Sequence, residues 1–482
     1  MNILLLSNGA PNYHYFFNNL AQHFNTGGAN VVVAVDSELS RDINGLDTLG
    51  FDVYEFSSYF STHQVNEKIL RKYSDLNLNA ALLSDYERAE VYGIWGAKKH
   101  DYFERLKSAL LSYYEEIFNR HGIDIVLFEN VSNTFSHFAF FVAERHGARY
   151  CGIGGSRLPG RFSISADPIN DKELGEIFHA IRSGERVVEP AVRAWCEEYL
   201  SNIDNIVPDY MKINGLDNTN IINRYVKLDK LKRIITAIRH VRDDSYHAFQ
   251  IGNPVRTYFN LFLRNVRRKI KLQLIKKIYD KPIEGESFLL YPMHFHPESS
   301  TSILAGAYLS EYEVIRNIVF NLPQGVKLYV KDHISAWGYP SIEFYRKIAK
   351  LPNVRLLGPN EQTKQLIKRS AGVVTLTSTV GYEALLLQKR VLLFGRVFYE
   401  FHKGVTRIEN PATLHTLIKS ELAKQIDWDD QYNTDFLCAY HQATLPGSLN
   451  VMQDEIKAAT SAELVYAEIT RSGYFIDATH TR

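Results

Sequence analysis

The sequence is poor in cysteine. It holds three, Cys151, Cys196 and Cys438, widely spaced and with no CxxC pair. That count excludes a disulfide framework and a zinc module, and implies a reducing compartment. It lacks an excess of charge as well: 55 basic residues stand against 54 acidic ones, so no overall field draws the chain to nucleic acid. No apolar run reaches about 18 residues, the length needed to span a bilayer. The opening MNILLLSNGAPNYH has no basic leader and reads as a first β-strand, not a signal peptide. These absences together predict a cytoplasmic protein. What is present is apolar content of 45% over 482 residues, enough for two or three domains with proper cores.

Short β-branched runs alternate with helical patterns. NILLLS (2–7), NVVVAV (30–35), DVYEF (52–56), DIVLFEN (124–130) and RYCGIGG (149–155) read as strands buried on both faces, with helices near 14–25, 86–120 and 134–146. From about 170 to 280 the pattern is helical and polar. A second strand series follows: SFLLYPM (287–293), KLYVKDH (327–333), NVRLLG (353–358), GVVTLTS (372–378) and RVLLFG (390–395). Alternation of this kind predicts an α/β fold of two Rossmann-like domains with parallel, doubly wound sheets facing across a cleft. The expected boundaries are 1–283 for the first domain, with a helical insertion at about 170–280, then 284–410 for the second and 411–482 for a helical tail. Ligands of such sheets bind beyond the carboxyl ends of the strands.

Polar clusters stand at those ends. In TLTSTVGYEALL, Thr377, Ser378 and Thr379 lie where strand gives way to helix, so hydroxyls, free N–H groups and the positive helix end together suit a phosphate. Glu383, one turn on, suits a ribose hydroxyl. In YPMHFHPESSTS, His294 and His296 share one face of an extended segment, a spacing that also suits a metal, but no third ligand is near in sequence. These histidines and Glu298 are expected to line a cleft, with Lys331 and His333 of KDHISAWG supplying positive charge to a phosphate. Asp427 to Asp429 form the one DxD and read as a helix start, so neither a metal site nor a cofactor is expected.

The first half repeats the pattern. FENVSNT ends a strand with Glu129, Asn130 and Asn133, and a partly desolvated Glu129 suits acid/base work. GGSRLPGR supplies Ser156, Arg157 and Arg161, the two arginines suited to clamping a carboxylate or phosphate. Asp85 and Arg88 of SDYERAEVYG read most simply as an i, i+3 pair on a helix surface.

In this order SDYERAEVYG, FENVSNT, GGSRLPGRF, YPMHFHPESSTS, LYVKDHISAWG, TLTSTVGYEALL and FGRVFYEFHKGV resemble the bacterial capsule polysaccharide biosynthesis family, over roughly residues 1–410. The resemblance implies a cytoplasmic GT-B glycosyltransferase, related to transferases of 3-deoxy-manno-octulosonic acid (Kdo). It implies a nucleotide-sugar held by Lys331, His333 and Thr377 to Thr379, and a glycan or glycolipid acceptor against the first domain. The family usually shows a His-Pro pair after the second-domain lysine, whereas Ile334 follows His333 here. Sugar transfer needs donors at the leaving phosphate and a carboxylate near the sugar. Glu129, as base or nucleophile, and His296 are the expected catalytic groups. Asn130, Asn133, Ser156, Arg157 and Arg161 are expected at the acceptor or at a sugar carboxylate.

An anionic sugar such as that of CMP-Kdo would account for the arginines, and an anionic acceptor would do so equally. A nucleotide-sugar 2-epimerase and a non-catalytic polysaccharide-binding or export module are the alternative readings. RNVRRKIKLQLIKKIYDK (264–281) sets an apolar stripe of Leu263, Val266, Ile270, Leu274 and Ile278 among basic residues, which suits the inner face of a membrane, while a solvated connecting helix is the plainer account.

Overall fold

The computed structural model describes residues 1–96, 98–206, 235, 238–449 and 454–474. The described residues form two compact units, one from Met1–Pro168, Pro208–Phe262 and Thr444–Arg482, the other from Ile169–Val207 and Leu263–Ala443.

The first unit is built on strands β1 (Asn2–Ser7), β2 (Asn30–Val35), β3 (Asp52–Glu55), β4 (Ile125–Glu129), β5 (Arg149–Gly155) and β6 (Arg161–Ser165). The second carries β7 (Phe288–Pro292), β8 (Lys327–Lys331), β9 (Val354–Leu357), β10 (Gly372–Thr375), β11 (Val391–Leu393) and β12 (Val405–Arg407), and β13 (Thr444–Pro446) returns to the first. The sheet orders are β13-β6-β5-β4-β1-β2-β3 and β12-β11-β10-β7-β8-β9. All pairs are parallel except β5 with β6 and β6 with β13.

Central strands must shed water on both faces, and they do: Ile3 to Leu6 on β1 and Leu289 to Tyr291 on β7 are fully buried. In register, Leu4 pairs with Val32 on one side and Val126 on the other. Both sheets therefore carry the Rossmann order outward from one strand. The direction of winding reverses between β1 and β4 in the first, and between β7 and β10 in the second. At such a reversal the loops diverge and leave a crevice beyond the strand ends.

All ten expected strands are present. The expected helix over 86–120 is two, Tyr86–Tyr92 and His100–His121, because Gly93 ends the first in the left-handed region at φ 72°. The division of the chain differs from the expected linear one. Helices Glu173–Ser183 and Pro190–Ser201 sit in the second unit, where Phe178 packs against Phe401, Tyr432 and Phe436, and Arg182 and Arg193 both pair with Asp435. The expected helical tail is split, since β13 and helix Glu455–Ser472 join the first unit, with Tyr466 against His23 and Phe24. Such pairings span hundreds of residues and leave no periodic trace in sequence. Residues 207–234 and 236–237 of the expected insertion, and 450–453 and 475–482 of the expected tail, lie outside the described residues. No described helix is long and apolar enough to cross a membrane.

Candidate functional site

The second unit gathers its polar groups at the β7/β10 reversal. β7 leaves the core and delivers His294, whose side chain is 4% exposed. Its backbone N–H donates to Glu311 Oε1 at 3.0 Å, and its ring Nδ1 lies 3.3 Å from the same oxygen. Across the reversal, His294 Nε2 receives the Thr377 N–H at 3.4 Å and sits 3.1 Å from Thr375 Oγ1. His294 thus ties the end of β7 to the end of β10 as a brace for the loop beyond.

Glu311, at the start of helix Glu311–Phe320, is the hub of this arrangement. Its second oxygen lies 2.9 Å from His296 Nε2. Burial alone would push the Glu311 carboxyl up, but the charge and hydrogen bonds of His294 and His296 outweigh it and hold it at about 2. Nothing in EYEV distinguishes this glutamate from a solvated one at a helix start.

The loop after β10 is pinned from below. Thr375 Oγ1 accepts the Ser378 N–H at 3.1 Å, Ser378 Oγ caps helix Thr379–Leu386 by accepting the Val380 N–H at 3.1 Å, and Tyr399 donates its hydroxyl to the Ser378 carbonyl at 2.6 Å. The cap uses one lone pair of the Ser378 hydroxyl and leaves its O–H to donate. The Thr377 hydroxyl beside it is buried without a partner, and a buried orphan at a strand end is a ready contact for a ligand oxygen. Thr379 and Glu383 lie half-buried on the first two turns.

At the end of β8, Lys331 is buried and donates from Nζ to the carbonyls of Asp332 at 3.2 Å and Pro359 at 2.9 Å, and burial lowers its pKa. His333 Nδ1 accepts the Ser335 N–H at 3.2 Å, which leaves the proton on Nε2. Burial, with the charges of His294 and Lys331, lowers this histidine to about 4. His333 is therefore a neutral donor at pH 7, and the expected pair of cations is in fact a lysine held by carbonyls beside an uncharged imidazole. Burial raises Asp332 between them to about 6. Ser335 Oγ and Trp337 Nε1 in the same loop are buried without partners. Glu298 is exposed, and its carbonyl accepts the hydroxyls of Thr301 and Ser302 at 2.9 and 3.0 Å.

In the first unit β4 ends on Glu129. Its Oε1 accepts the Ser132 hydroxyl at 2.6 Å and its carboxylate a hydrogen bond from Tyr13, yet burial prevails and raises its pKa. Its negative charge in turn raises Tyr13 well above the ordinary phenol value. The Arg88 guanidinium acts on both, and it pairs with Asp85. This corrects the reading of Asp85 and Arg88 as a surface pair. Asp85 is 1% exposed and its Oδ2 accepts the Thr134 N–H at 3.0 Å and the Gln250 amide at 2.7 Å. Asp85 therefore fixes the start of the helix that follows Glu129.

The other expected residues of this half divide by what they touch. Asn130 lies across β5, where a Cβ at Gly152 would stand 2.8 Å from its Oδ1 and one at Gly154 3.0 Å from its Nδ2. Asn133 caps helix Thr134–Arg145 by accepting the Ser136 N–H at 3.0 Å. Ser156 Oγ accepts the Leu158 N–H at 3.0 Å. Arg161 Nε donates to Thr444 Oγ1 at 2.8 Å and its Nη2 to the Thr444 carbonyl, so it secures β6 to β13. Arg157 is half-buried in the β5–β6 loop. Asp429, of the DxD, caps helix Asp430–Gln442 through the Gln431 N–H at 2.9 Å. Among the described residues no three His, Cys, Asp or Glu side chains are grouped to hold a metal ion.

Sequence reasoning missed Tyr13, Glu311 and Asp332. A signal existed for Tyr13, because SNGAPNY is the polar end of β1 and borders the β1/β4 reversal.

Two Rossmann-type units with polar groups at both reversals define the chain as an α/β protein of the GT-B-like class. The model of the family described as capsule polysaccharide biosynthesis protein matches residues 202–436. No curated protein matches the sequence. Among solved structures, the KpsC beta Kdo 2,7 transferase of Thermosulfurimonas dismutans is similar at 11% identity and TM-score 0.32, covering 75% of this chain and 89% of that one. The KpsC beta Kdo 2,4 transferase of the same organism is similar at 13% identity and TM-score 0.29, covering 68% and 85%. The UDP-GlcNAc 2-epimerase of Methanocaldococcus jannaschii, solved with UDP-GlcNAc and UDP, is similar at 10% identity and TM-score 0.28, covering 98% and 99%. At such values these likenesses transfer no activity and no residue role.

Proposed function

We propose that the chain is a glycosyltransferase that moves a sugar from a nucleotide-sugar donor to a growing capsule or lipopolysaccharide glycan. The observation that carries the reading is the braced strand-end loop of the second unit. His294 and Tyr399 hold the segment Thr377 to Thr379 at a topological reversal, with the Thr377 hydroxyl buried and unpartnered. The family match over 202–436 supports the same pathway.

In this reading the donor phosphate lies against Thr377, Thr379 and the neutral N–H of His333, while Glu383 and Glu298 serve the nucleoside or sugar. His296, oriented by Glu311, protonates or hydrogen-bonds the departing phosphate. Negative charge grows on that oxygen as the glycosidic bond breaks, so a donor placed there is worth more in the transition state than in the ground state. Glu129 takes the proton of the acceptor hydroxyl, a task its raised pKa suits. Arg157 and Asn130 supply contacts for the acceptor or for the carboxylate of an anionic sugar, and CMP-Kdo is the candidate donor on that account.

The test is a panel of CMP, UDP, GDP and their sugars, read by thermal stabilisation and then by transfer. A ligand at a hundredfold excess over its Kd adds about 2.7 kcal/mol of stability. One nucleotide should stand out, and Glu129→Gln should keep its stabilisation while losing turnover. A polysaccharide-binding module would lose nothing on that substitution, and no stabilisation by any nucleotide would end the proposal.

A further inference from the structure

Helix Pro254–Lys276 carries seven basic residues and no acidic one. One side of it is anchored. Thr257, Asn265 and Ile275 are buried, Lys271 Nζ donates to the Pro340 carbonyl at 2.7 Å, and the guanidinium groups of Arg264 and Arg268 lie 4.2 and 4.4 Å from the Tyr339 ring centre. On the other side several apolar residues reach solvent. Val255, Tyr258, Phe259, Phe262, Ile270 and Leu274 are all exposed, from 36% at Val255 to 69% at Ile270.

This is not the stripe expected from sequence. Of that set, Leu263, Val266 and Ile278 are half-buried, and the exposed apolar face instead runs toward the N-terminus of the helix through three aromatic rings. Spacings of four, three and eight residues put Val255, Phe259, Phe262 and Ile270 on one side of the helix. The exposed cations Arg256, Arg267, Lys269 and Lys277 flank them.

We propose that this face seats on an anionic lipid surface. Rings and aliphatic chains of this size settle at the boundary between headgroups and acyl chains, and long basic side chains reach from there to lipid phosphates. The charge decides between occupants. A second copy docked through the same face by a twofold axis would bring two cationic helices together with no acid on either, which is unfavourable, whereas an anionic bilayer neutralises the flanks and buries the apolar strip. The inference is independent of the transfer reaction, because it needs neither donor nor acceptor.

The experiment uses the full chain with vesicles of phosphatidylcholine alone and of phosphatidylcholine mixed with phosphatidylglycerol, read by co-sedimentation. Binding should favour the anionic vesicles and weaken as salt rises. Phe259→Ser/Phe262→Ser should reduce it at least tenfold, and Arg267→Gln/Lys269→Gln, which leaves every apolar contact in place, should reduce it roughly thirtyfold on anionic vesicles. The melting temperature serves as the fold control for both variants. Failure of the unaltered protein to sediment with either vesicle would overturn the proposal. So would binding that both variants retain in full, or a dimer in solution that Phe259→Ser/Phe262→Ser converts to a monomer.

Discussion

His294 and Glu311 are joined twice, by the His294 backbone N–H at 3.0 Å and by its ring Nδ1 at 3.3 Å, both to the same carboxylate oxygen. A buried carboxylate that also takes the His296 ring is the support on which two loops of the candidate site rest.

Replacing it tests that dependence. In Glu311→Gln the amide keeps one acceptor and turns a donor toward the remaining imidazole, so one of the histidines loses its partner inside the protein. A buried donor left unmet costs about 1–3 kcal/mol, and more when the lost partner was charged. Urea unfolding should show a loss of roughly 2–3 kcal/mol, together with weaker stabilisation by the preferred nucleotide. Unchanged nucleotide stabilisation would mean that the brace serves the fold alone.

The geometry around Glu311 also shows what pattern reading could reach. Strands such as NILLLS and SFLLYPM announce themselves because burial on both faces demands unbroken apolar runs, and polar residues at their ends then stand out. Glu311 is seventeen positions from His294 and opens a helix, where acids are ordinary, so only the fold brings it to the site. Asp85 was misread for a similar reason: spacing suggested a surface pair, while its burial depends on Thr134 and Gln250, far along the chain. The three-residue β13 was invisible, since its place is set by Arg161 gripping Thr444 and not by any periodicity.

Tyr13→Phe probes the first unit. The Tyr13 hydroxyl donates to Glu129 and favours its ionised form, in opposition to burial. Its removal should raise the Glu129 pKa further, so that the acid limb of the transfer pH profile moves to higher pH while nucleotide stabilisation stays as it was. A lower rate without displacement of that limb would show that Tyr13 positions the loop and does not tune the carboxylate.

Gly381→Ala addresses the loop after β10. A Cβ there would stand 2.9 Å from Tyr399 Cζ and closer still to its hydroxyl, a contact that forces the ring off the Ser378 carbonyl. The substitution should cost roughly 1–3 kcal/mol, the range for overfilling a packed site. It should also weaken nucleotide binding by freeing Thr377 to Thr379. Tyr399→Phe separates the two effects, because it removes the 2.6 Å hydrogen bond without crowding. If Tyr399→Phe binds nucleotide normally, the brace is not what shapes the phosphate loop.

His402 supplies a pH test away from the site. Its Nδ1 accepts the Gly404 N–H at 3.0 Å and its Nε2 donates to Asn433 Oδ1 at 3.0 Å, so the fold holds the neutral ring. Burial lowers it from 6.5 to about 4. A histidine whose folded pKa lies below its unfolded one gives its full contribution above the unfolded value and loses it as pH falls toward the folded value, because the unfolded chain then takes up the proton first. The loss should run from pH 6.5 down to about 4 and reach roughly 3 kcal/mol from this residue. His402→Gln keeps a donor and an acceptor but cannot titrate. Its stability should start lower at pH 7.5 and then fall less steeply over that window than the unaltered protein's. Parallel slopes for the two would show that His402 is protonated in the folded state, contrary to the hydrogen bonds around it.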